Sequence, residues 1–162
     1  MIASYLLAST PSSPSAGPAN DLTVISSSNI RVTYSPLTTT IETGGSAILS
    51  YNLQVDDGAG SFIDVFGWSK DTLSLSATVK AKKGITYAFR YRAKNIYGWG
   101  DFSPLTYILA ADKPSQPVKP TFVSATDNSI SIRMYPSIGD FGAFVTNYYL
   151  EIDEGTPNSD FT

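Results

Sequence analysis

Hydrophobic and polar residues alternate along most of this chain, in short runs separated by turn residues. The clearest run lies between Thr86 and Asn95, where every second residue is apolar or aromatic. This is the period of a β-strand with one buried face. Asn95, Gly98 and Gly100 come next, three residues that tolerate a positive φ, so a tight turn into another strand is predicted there.

The same pattern recurs in other segments, and no segment has the period of an amphipathic helix, which predicts an antiparallel all-β protein. The predicted strands are, in chain order, Leu22 to Ser26, Asn29 to Tyr34, Ala47 to Val55, Phe62 to Phe66, Thr72 to Val79, Thr86 to Asn95 and Leu105 to Ala110. Seven strands are enough for one sandwich of two sheets. Among the residues predicted to fill its core are Tyr34, Tyr51, Leu53, Phe89 and Tyr91.

Parts of the chain repeat at a separation of about one such sandwich. Three pairs of segments carry the repeat, at separations of 97, 100 and 102 residues: Tyr51 to Gly58 with Tyr148 to Gly155, Ile30 to Val32 with Ile130 to Ile132, and Tyr5 to Ala8 with Tyr107 to Ala110. We therefore expect a tandem array. Residues 1–10 are predicted to be the last strand of a preceding module, 11–112 a complete module, and 113–162 strands A to C of a following module.

Proline-rich runs separate these units, at residues 9–18 and 112–120. Spaced prolines favour an extended polyproline II backbone over a helix or a central strand. The predicted linkers are therefore short and fairly stiff, as in a rod.

The segment from Gly84 to Ser103 resembles a known family. Its pattern G-x-T-Y-x-F-R-x-R-A-x-N-x-x-G-x-G-x-x-S is similar to strand F, the F to G turn and the start of strand G of fibronectin type III domains. The resemblance implies an immunoglobulin-like sandwich in which Tyr87 is the tyrosine-corner residue, with its hydroxyl bonded to the loop between strands E and F. Two positions depart from the family pattern: Tyr34 stands where a core tryptophan is usual, and Ala81 where a leucine is usual.

Composition excludes several classes of protein. With 42% hydrophobic and 15% charged residues the chain is too apolar for a disordered tail, yet no apolar run approaches the roughly 20 residues of a membrane helix. Met1 to Ala8 is apolar but lacks the basic start of a signal peptide. The net charge of −3, without a basic aromatic face, does not predict a nucleic-acid partner.

The chain contains no cysteine and no histidine. Disulfides, thiolate and imidazole metal sites and Ser-His-Asp or Cys-His catalysis are therefore excluded, and we predict neither enzymatic activity nor a cofactor. Clustered carboxylates at Asp56 to Gly60 and at Asp153 to Gly155 do not have the spacing of a calcium loop. A turn that uses the backbone tolerance of Asp and Gly explains them more simply.

Tyr97, Trp99 and Phe102 form an aromatic cluster at the F to G turn and are a candidate contact loop. Two interpretations stay open: these rings stack on a sugar or a neighbouring module, or they pack against their own module. An Arg-Gly-Asp tripeptide is absent, so integrin-type binding is not predicted. The chain has no Asn-x-Ser/Thr sequon, whereas its candidates for O-glycosylation lie among prolines: Ser9, Thr10, Ser12, Ser13 and Ser15.

The first functional hypothesis is a structural or adhesive segment of a long extracellular or cell-surface protein, part of a filament or surface fibre. The sequence from Tyr91 to Gly100 is similar to repeats of very large surface proteins of single-celled eukaryotes. Its expected partners are neighbouring fibronectin type III modules, copies of itself and glycans. One alternative is a spacer or sugar-contacting module of a secreted polysaccharide-degrading enzyme, and another is an intracellular filament protein of the muscle type.

Overall fold

A computed structural model describes residues 8–24, 28–56 and 59–153 of the chain. Within these ranges the regular structure is entirely β. The strands are β1 (Ala19–Asn20), β2 (Asn29–Thr33), β3 (Ser50–Asp56), β4 (Phe62–Phe66), β5 (Ser76–Lys80), β6 (Thr86–Asn95), β7 (Gly98–Trp99), β8 (Thr106–Leu109), β9 (Thr121–Thr126) and β10 (Ser129–Arg133).

Two antiparallel sheets make the sandwich. One has the order β1-β2-β5, and the other has the order β4-β3-β6 with both β7 and β8 paired to β6. β7 and β8 are two parts of one last strand, because the Gly100 and Ser103 amides between them still donate to the carbonyls of Ala93 and Tyr91 on β6, at 2.9 and 2.8 Å. Counted in this way the described module has seven strands, and the predicted fold class is confirmed.

The core lies between the two sheets and is continuous. Its buried side chains are Ile30, Val32, Tyr34, Leu37, Tyr51, Leu53, Val55, Tyr87, Phe89, Tyr91, Ala93, Ile108 and Ala110. Three tyrosines meet near its centre, where the rings of Tyr34 and Tyr91 stack at 4.3 Å and Tyr51 approaches Tyr34 edge-on at 5.9 Å. The aromatic rings thus join the two sheets, with Tyr34 from one and Tyr51 and Tyr91 from the other.

Each of these three buried hydroxyls has a backbone partner. Tyr34 donates to the carbonyl of Ser74, Tyr91 donates to that of Ser35, and Tyr51 accepts from the Leu37 amide, at 2.8 to 3.1 Å. Burial raises the pKa of Tyr91 to about 12 and that of Tyr34 still further. The hydroxyls therefore stay protonated and serve as hydrogen-bonding groups inside an apolar core.

The prediction of a first strand at Leu22 to Ser26 is wrong for the residues that the structure describes. The Asp21 carboxylate accepts hydrogen bonds from both the amide and the hydroxyl of Thr23, and the Val24 amide donates to the Asp21 carbonyl at 3.1 Å. A short polar side chain that bonds the backbone two residues on favours a turn over a strand. The first strand is instead β1, which pairs with the end of β2; Ile25 and Ser26 lie outside the described residues.

The predicted strand from Thr72 to Val79 corresponds to β5, which begins only at Ser76. Between these positions the chain crosses from one sheet to the other. The Thr72 carbonyl accepts from the Tyr51 amide of β3, whereas the Leu75 carbonyl accepts from the Tyr34 amide beyond β2. Because the two ends of this segment bond to different sheets, the segment cannot pair regularly with a strand of either sheet. Regular pairing with β2 therefore starts only after the crossing, at Ser76.

After the sandwich, the described part of 113–162 contains the antiparallel hairpin β9–β10, all of whose residues are exposed. No strand is formed between residues 134 and 153, although strand C of the following module was expected near Tyr148. Residues 1–7 and 154–162 lie outside the described residues. The boundaries at 1–10, 11–112 and 113–162 stay predictions.

Candidate contact surface

The solvent-facing side of the second sheet carries a row of cations and aromatic rings. Alternation along β6 places tyrosine and phenylalanine in the core, so Arg90, Arg92 and Lys94 share the outer face. The guanidinium of Arg90 lies between two rings, 3.9 Å from the centroid of Phe62 on β4 and 4.1 Å from that of Phe102. Both distances are within the range of a cation–π interaction.

The row continues from Arg92 to Lys94. The Arg92 guanidinium lies 4.2 Å from the Phe102 centroid and about equally far from two indoles, at 5.0 and 5.1 Å, which are themselves stacked 6.0 Å apart. The Lys94 ammonium lies 5.7 Å from Trp99 and forms an ion pair with Asp71 at 3.1 Å. We call this set the cation–aromatic ladder: Phe62, Arg90, Phe102, Arg92, Trp68, Trp99 and Lys94.

Side-chain amides on β3 hold the two guanidiniums in place. Gln54 accepts both Nε and Nη2 of Arg90 at 2.9 and 2.8 Å, and Asn52 accepts Nε of Arg92 at 3.2 Å. Both amides donate in turn to one Asp64 oxygen, at 3.0 and 2.8 Å. Burial lowers the pKa of Arg92 and the negative charge of Asp64 opposes this. The network orders the ladder without a direct contact between arginine and carboxylate.

The three residues of the predicted contact loop, Tyr97, Trp99 and Phe102, differ in how far they are buried. Trp99 and Phe102 are half-buried within the ladder, whereas the side chain of Tyr97 is 54% exposed. Because arginines lie over the rings of Trp99 and Phe102, the arrangement favours packing against the module over stacking on a sugar. Phe62, Trp68, Arg90 and Arg92 were not predicted as contact residues from the sequence. The cations at every second position of β6 were nevertheless a signal of one shared face.

We expect Arg92→Ala to lower the stability of the module by about 1 to 2 kcal/mol, because three aromatic contacts and one hydrogen bond are lost together. The chain has only two tryptophans and both belong to the ladder. Their fluorescence emission should shift to longer wavelength in the folded variant as water reaches the indoles. Arg31→Ala, on the other sheet and in an ion pair with Asp21, is the matched control. An unchanged spectrum for the Arg92 variant would contradict the ladder.

Asn95, Gly98 and Gly100 were predicted as turn residues because they tolerate a positive φ, and of the three only Gly98 adopts one, at +126°. Asn95 is instead 1% exposed, and its Nδ2 donates to the carbonyls of Ser9 and Thr43, at 2.6 and 2.9 Å. Its Oδ1 accepts from the Tyr97 amide at 2.9 Å. One buried amide therefore ties the entering chain, the loop after β2 and the F to G turn together.

The predicted linker at residues 9–18 is packed on the module. Pro11, Pro14 and Pro18 are buried, and a Cβ at Gly100 would collide with the Pro11 carbonyl. All five candidate O-glycosylation residues are exposed. The Ser12 hydroxyl donates to the Glu42 carbonyl, and the Ser13 hydroxyl donates to the Phe102 carbonyl. A glycan on Ser13 would remove a 2.8 Å bond to the F to G turn; modification of these residues stays a prediction.

The Tyr87 side chain is buried near the start of β6, at the opposite end of that strand from Asn95. Its hydroxyl accepts a hydrogen bond of 2.9 Å from the Lys82 amide, in the turn between β5 and β6. The bond spans five residues and closes the turn onto the strand that follows it. This is the geometry that a tyrosine corner requires.

In the turn from Asp56 to Gly60, the Gly60 amide donates a hydrogen bond to the Asp56 carboxylate at 3.4 Å. Asp57 and Gly58 lie outside the described residues, as do Glu154 and Gly155 of the second cluster. In the described ranges no three His, Cys, Asp or Glu side chains are grouped so that they could hold a metal ion. None of the residues described belongs to a helix that could serve as a membrane span.

Comparison with known proteins supports the fold. The sequence matches no family model. The sixth fibronectin type III domain of human fibronectin type III domain containing protein 3 superposes with a TM-score of 0.52 at 22% identity, over 69% of this chain and 95% of that domain. A crystal structure of titin domains superposes with a TM-score of 0.50 at 20% identity, over 62% of this chain and 32% of that one. The chain therefore carries a module with the fibronectin type III fold.

One curated protein is similar in sequence. Titin of Drosophila melanogaster is 32% identical over 121 residues, which is 72% of this chain and 1% of titin. The chain thus spans a very small part of that protein. With the internal repeat, these similarities support a structural module of a tandem-repeat protein.

Proposed function

We propose that this chain is a structural segment of a long tandem-repeat protein outside the cell or on its surface, where end-to-end modules build a filament or fibre. The proposal rests on one observation. Immediately after a complete sandwich, the chain continues into β9–β10, which includes the repeat of the β2 sequence but buries none of its residues. A hairpin whose apolar side chains are all exposed needs further strands to cover them.

The uncovered side chains are large. Phe122 is 69% exposed and Ile130 is 66% exposed. Beside the hairpin, an open groove of about 440 Å³ lies between the Gln116 to Pro120 stretch and residues 148–151, with Met134 and Tyr135 on its wall. Contiguous apolar surface of this kind marks a site for association with other protein surface. Its proposed occupants are further strands of the same module type, supplied by a neighbouring module or by another copy of the chain.

The extracellular location is part of the proposal and is supported by the likeness of Tyr91 to Gly100 to repeats of surface proteins. A sugar-contacting accessory module has less support, because the ladder arginines lie over the rings of Trp99 and Phe102. Strand edges and exposed apolar side chains on the described surface support a protein partner instead.

We expect the isolated 162-residue chain to self-associate as its concentration rises, because the exposed hairpin pairs with a second copy. Light scattering coupled to size-exclusion chromatography measures the mass directly. Ile130→Lys should shift the equilibrium toward the monomer without lowering the melting temperature of the sandwich. Leu22→Lys, at an exposed leucine of the complete module, is the matched control and should leave association unchanged. A compact monomer at every concentration, with the hairpin protected from proteolysis, would contradict the assembly proposal.

A further inference from the structure

The chain that leaves the sandwich is held by a loop of the segment that follows. The Asp112 amide donates to the Phe141 carbonyl at 3.0 Å, and the Ser115 amide donates to the Gly139 carbonyl at 3.1 Å. The Gly139 amide returns a bond of 3.0 Å to the Ser115 hydroxyl. We call the two amide-to-carbonyl bonds the downstream linker clamp.

The complete module holds its own entering chain in the same way. The Ser9 amide donates to the Gly44 carbonyl and the Ser12 amide donates to the Glu42 carbonyl, each at 2.9 Å. In both clamps the donors are three residues apart and the acceptors two residues apart. The donors of the two clamps differ by 103 positions (9 to 112, 12 to 115) and the acceptors by 97 (44 to 141, 42 to 139). The second figure is also the separation of the Tyr51 and Tyr148 segments, so the clamp is a feature of the repeat.

The downstream clamp also contacts the preceding module. Lys83, in the turn between β5 and β6, places its ammonium 3.3 Å from an Asp140 oxygen and 5.1 Å from the centroid of the Phe141 ring. Gly142 approaches so closely that a Cβ there would lie 2.7 Å from the Ala110 carbonyl oxygen and 2.9 Å from the Gly84 nitrogen. The loop at residues 139–142 thus lies between its own linker and the end of the sandwich before it.

Phe141 has a φ of +45°, which a residue with a Cβ adopts at a cost. Such a backbone conformation persists only where its surroundings impose it. The side chain of Phe141 is 38% exposed, so core burial does not impose it. A turn closed by the hydrogen bond from the Ala143 amide to the Asp140 carbonyl, at 3.2 Å, imposes it locally. The clamp bond to the Phe141 carbonyl, the Lys83 ammonium beside its ring and the close approach of Gly142 hold this turn against the preceding module.

From these contacts we infer that the turn at residues 81–85 of one module and the loop at residues 139–142 of the next are complementary docking surfaces that fix the angle between successive modules. The inference deepens the proposed tandem-repeat function and rests on it. By the same register, the loop from Thr39 to Gly45 of the complete module is the receptor for the corresponding turn of a module upstream.

Hydrogen exchange tests the joint in the full chain, at concentrations where it is monomeric. Lys83→Asp should speed exchange of the Asp112 and Ser115 amides roughly fivefold, as expected for the loss of one exposed ion pair and one cation–π contact. Asp140→Lys should do the same, and the double exchange of charges should slow exchange again. Lys82→Asp, which makes the same charge change one residue away, is the control and should have no effect on these amides.

The distance between the units is measured independently. Because the chain has no native cysteine, spin labels at Ser69→Cys and Ser124→Cys report only the separation of the sandwich from the hairpin. We expect one narrow distance distribution, a broader one in Lys83→Asp, and a narrow one again in the charge-exchanged variant. A broad distribution in the unmutated chain, or one that Lys83→Asp leaves unchanged, overturns the joint. Self-association through β9–β10 is a separate measurement, so a failure of the joint is distinguished from a failure of the assembly proposal.

Discussion

Replacing Gly67 with alanine is expected to lower the free energy of unfolding of the module by about 2 to 5 kcal/mol. Gly67 follows β4 with a φ of +85°, where a side chain is already unfavourable. In addition, a Cβ there would collide with the Tyr51 carbonyl oxygen and lie 2.9 Å from the Cα of Asn52. Both are backbone atoms of the central strand β3, which cannot retreat without disturbing its pairing with β6.

Gly60→Ala separates the two causes. Gly60 has a similar φ of +91°, but no atom of the described residues beyond its chain neighbours lies within 4 Å of the position that its Cβ would take. Gly60→Ala should therefore lower the free energy of unfolding only through the unfavourable backbone conformation, by about 1 to 2 kcal/mol. Urea denaturation of both variants against the unmutated chain measures the difference. Equal losses in the two would show that the close approach to β3 contributes nothing.

Truncating Tyr87 to alanine should cost roughly 3 to 5 kcal/mol, the range for removing a large buried aromatic side chain. Tyr87→Phe keeps the ring and removes only the bond from the Lys82 amide, so about 1 kcal/mol is expected. The pair divides the contribution of the residue into packing and hydrogen bonding, and chemical denaturation measures both. A phenylalanine variant as stable as the parent would remove the reason for assigning a tyrosine corner here.

Much of the fold was predictable because its strongest signals are local. From Phe89 to Asn95 buried residues alternate with partly exposed ones, and the strand predicted at Thr86 to Asn95 has the observed bounds. Phe62 to Phe66 was predicted with its observed bounds as well. Side chains of a half-buried strand must alternate between core and solvent, so the pattern itself carries the information.

Other boundaries depend on partners that are distant in sequence. The stretch from Thr72 to Leu75 has the composition of a strand, yet it crosses between the sheets because Tyr51 and Tyr34 bind its two ends. Asn95 looked like a turn residue, and its buried amide instead joins segments 86 and 52 residues away. A propensity for a turn and a capacity for hydrogen bonds are properties of the same side chain, and the contacts decide which one is used.

The sequence by itself determined the β class, the fibronectin type III resemblance and the repeat, since each is carried by a pattern along the chain. Tertiary structure alone revealed the cation–aromatic ladder, which brings Phe62, Trp68 and Phe102 to the arginines of one strand. It also revealed the linker clamps and the contact of Lys83 with Asp140. The clamps and the Lys83–Asp140 pair join residues 24 to 57 positions apart through backbone carbonyls and exposed charges. Every sequence offers such groups, and only folding brings them within bonding distance.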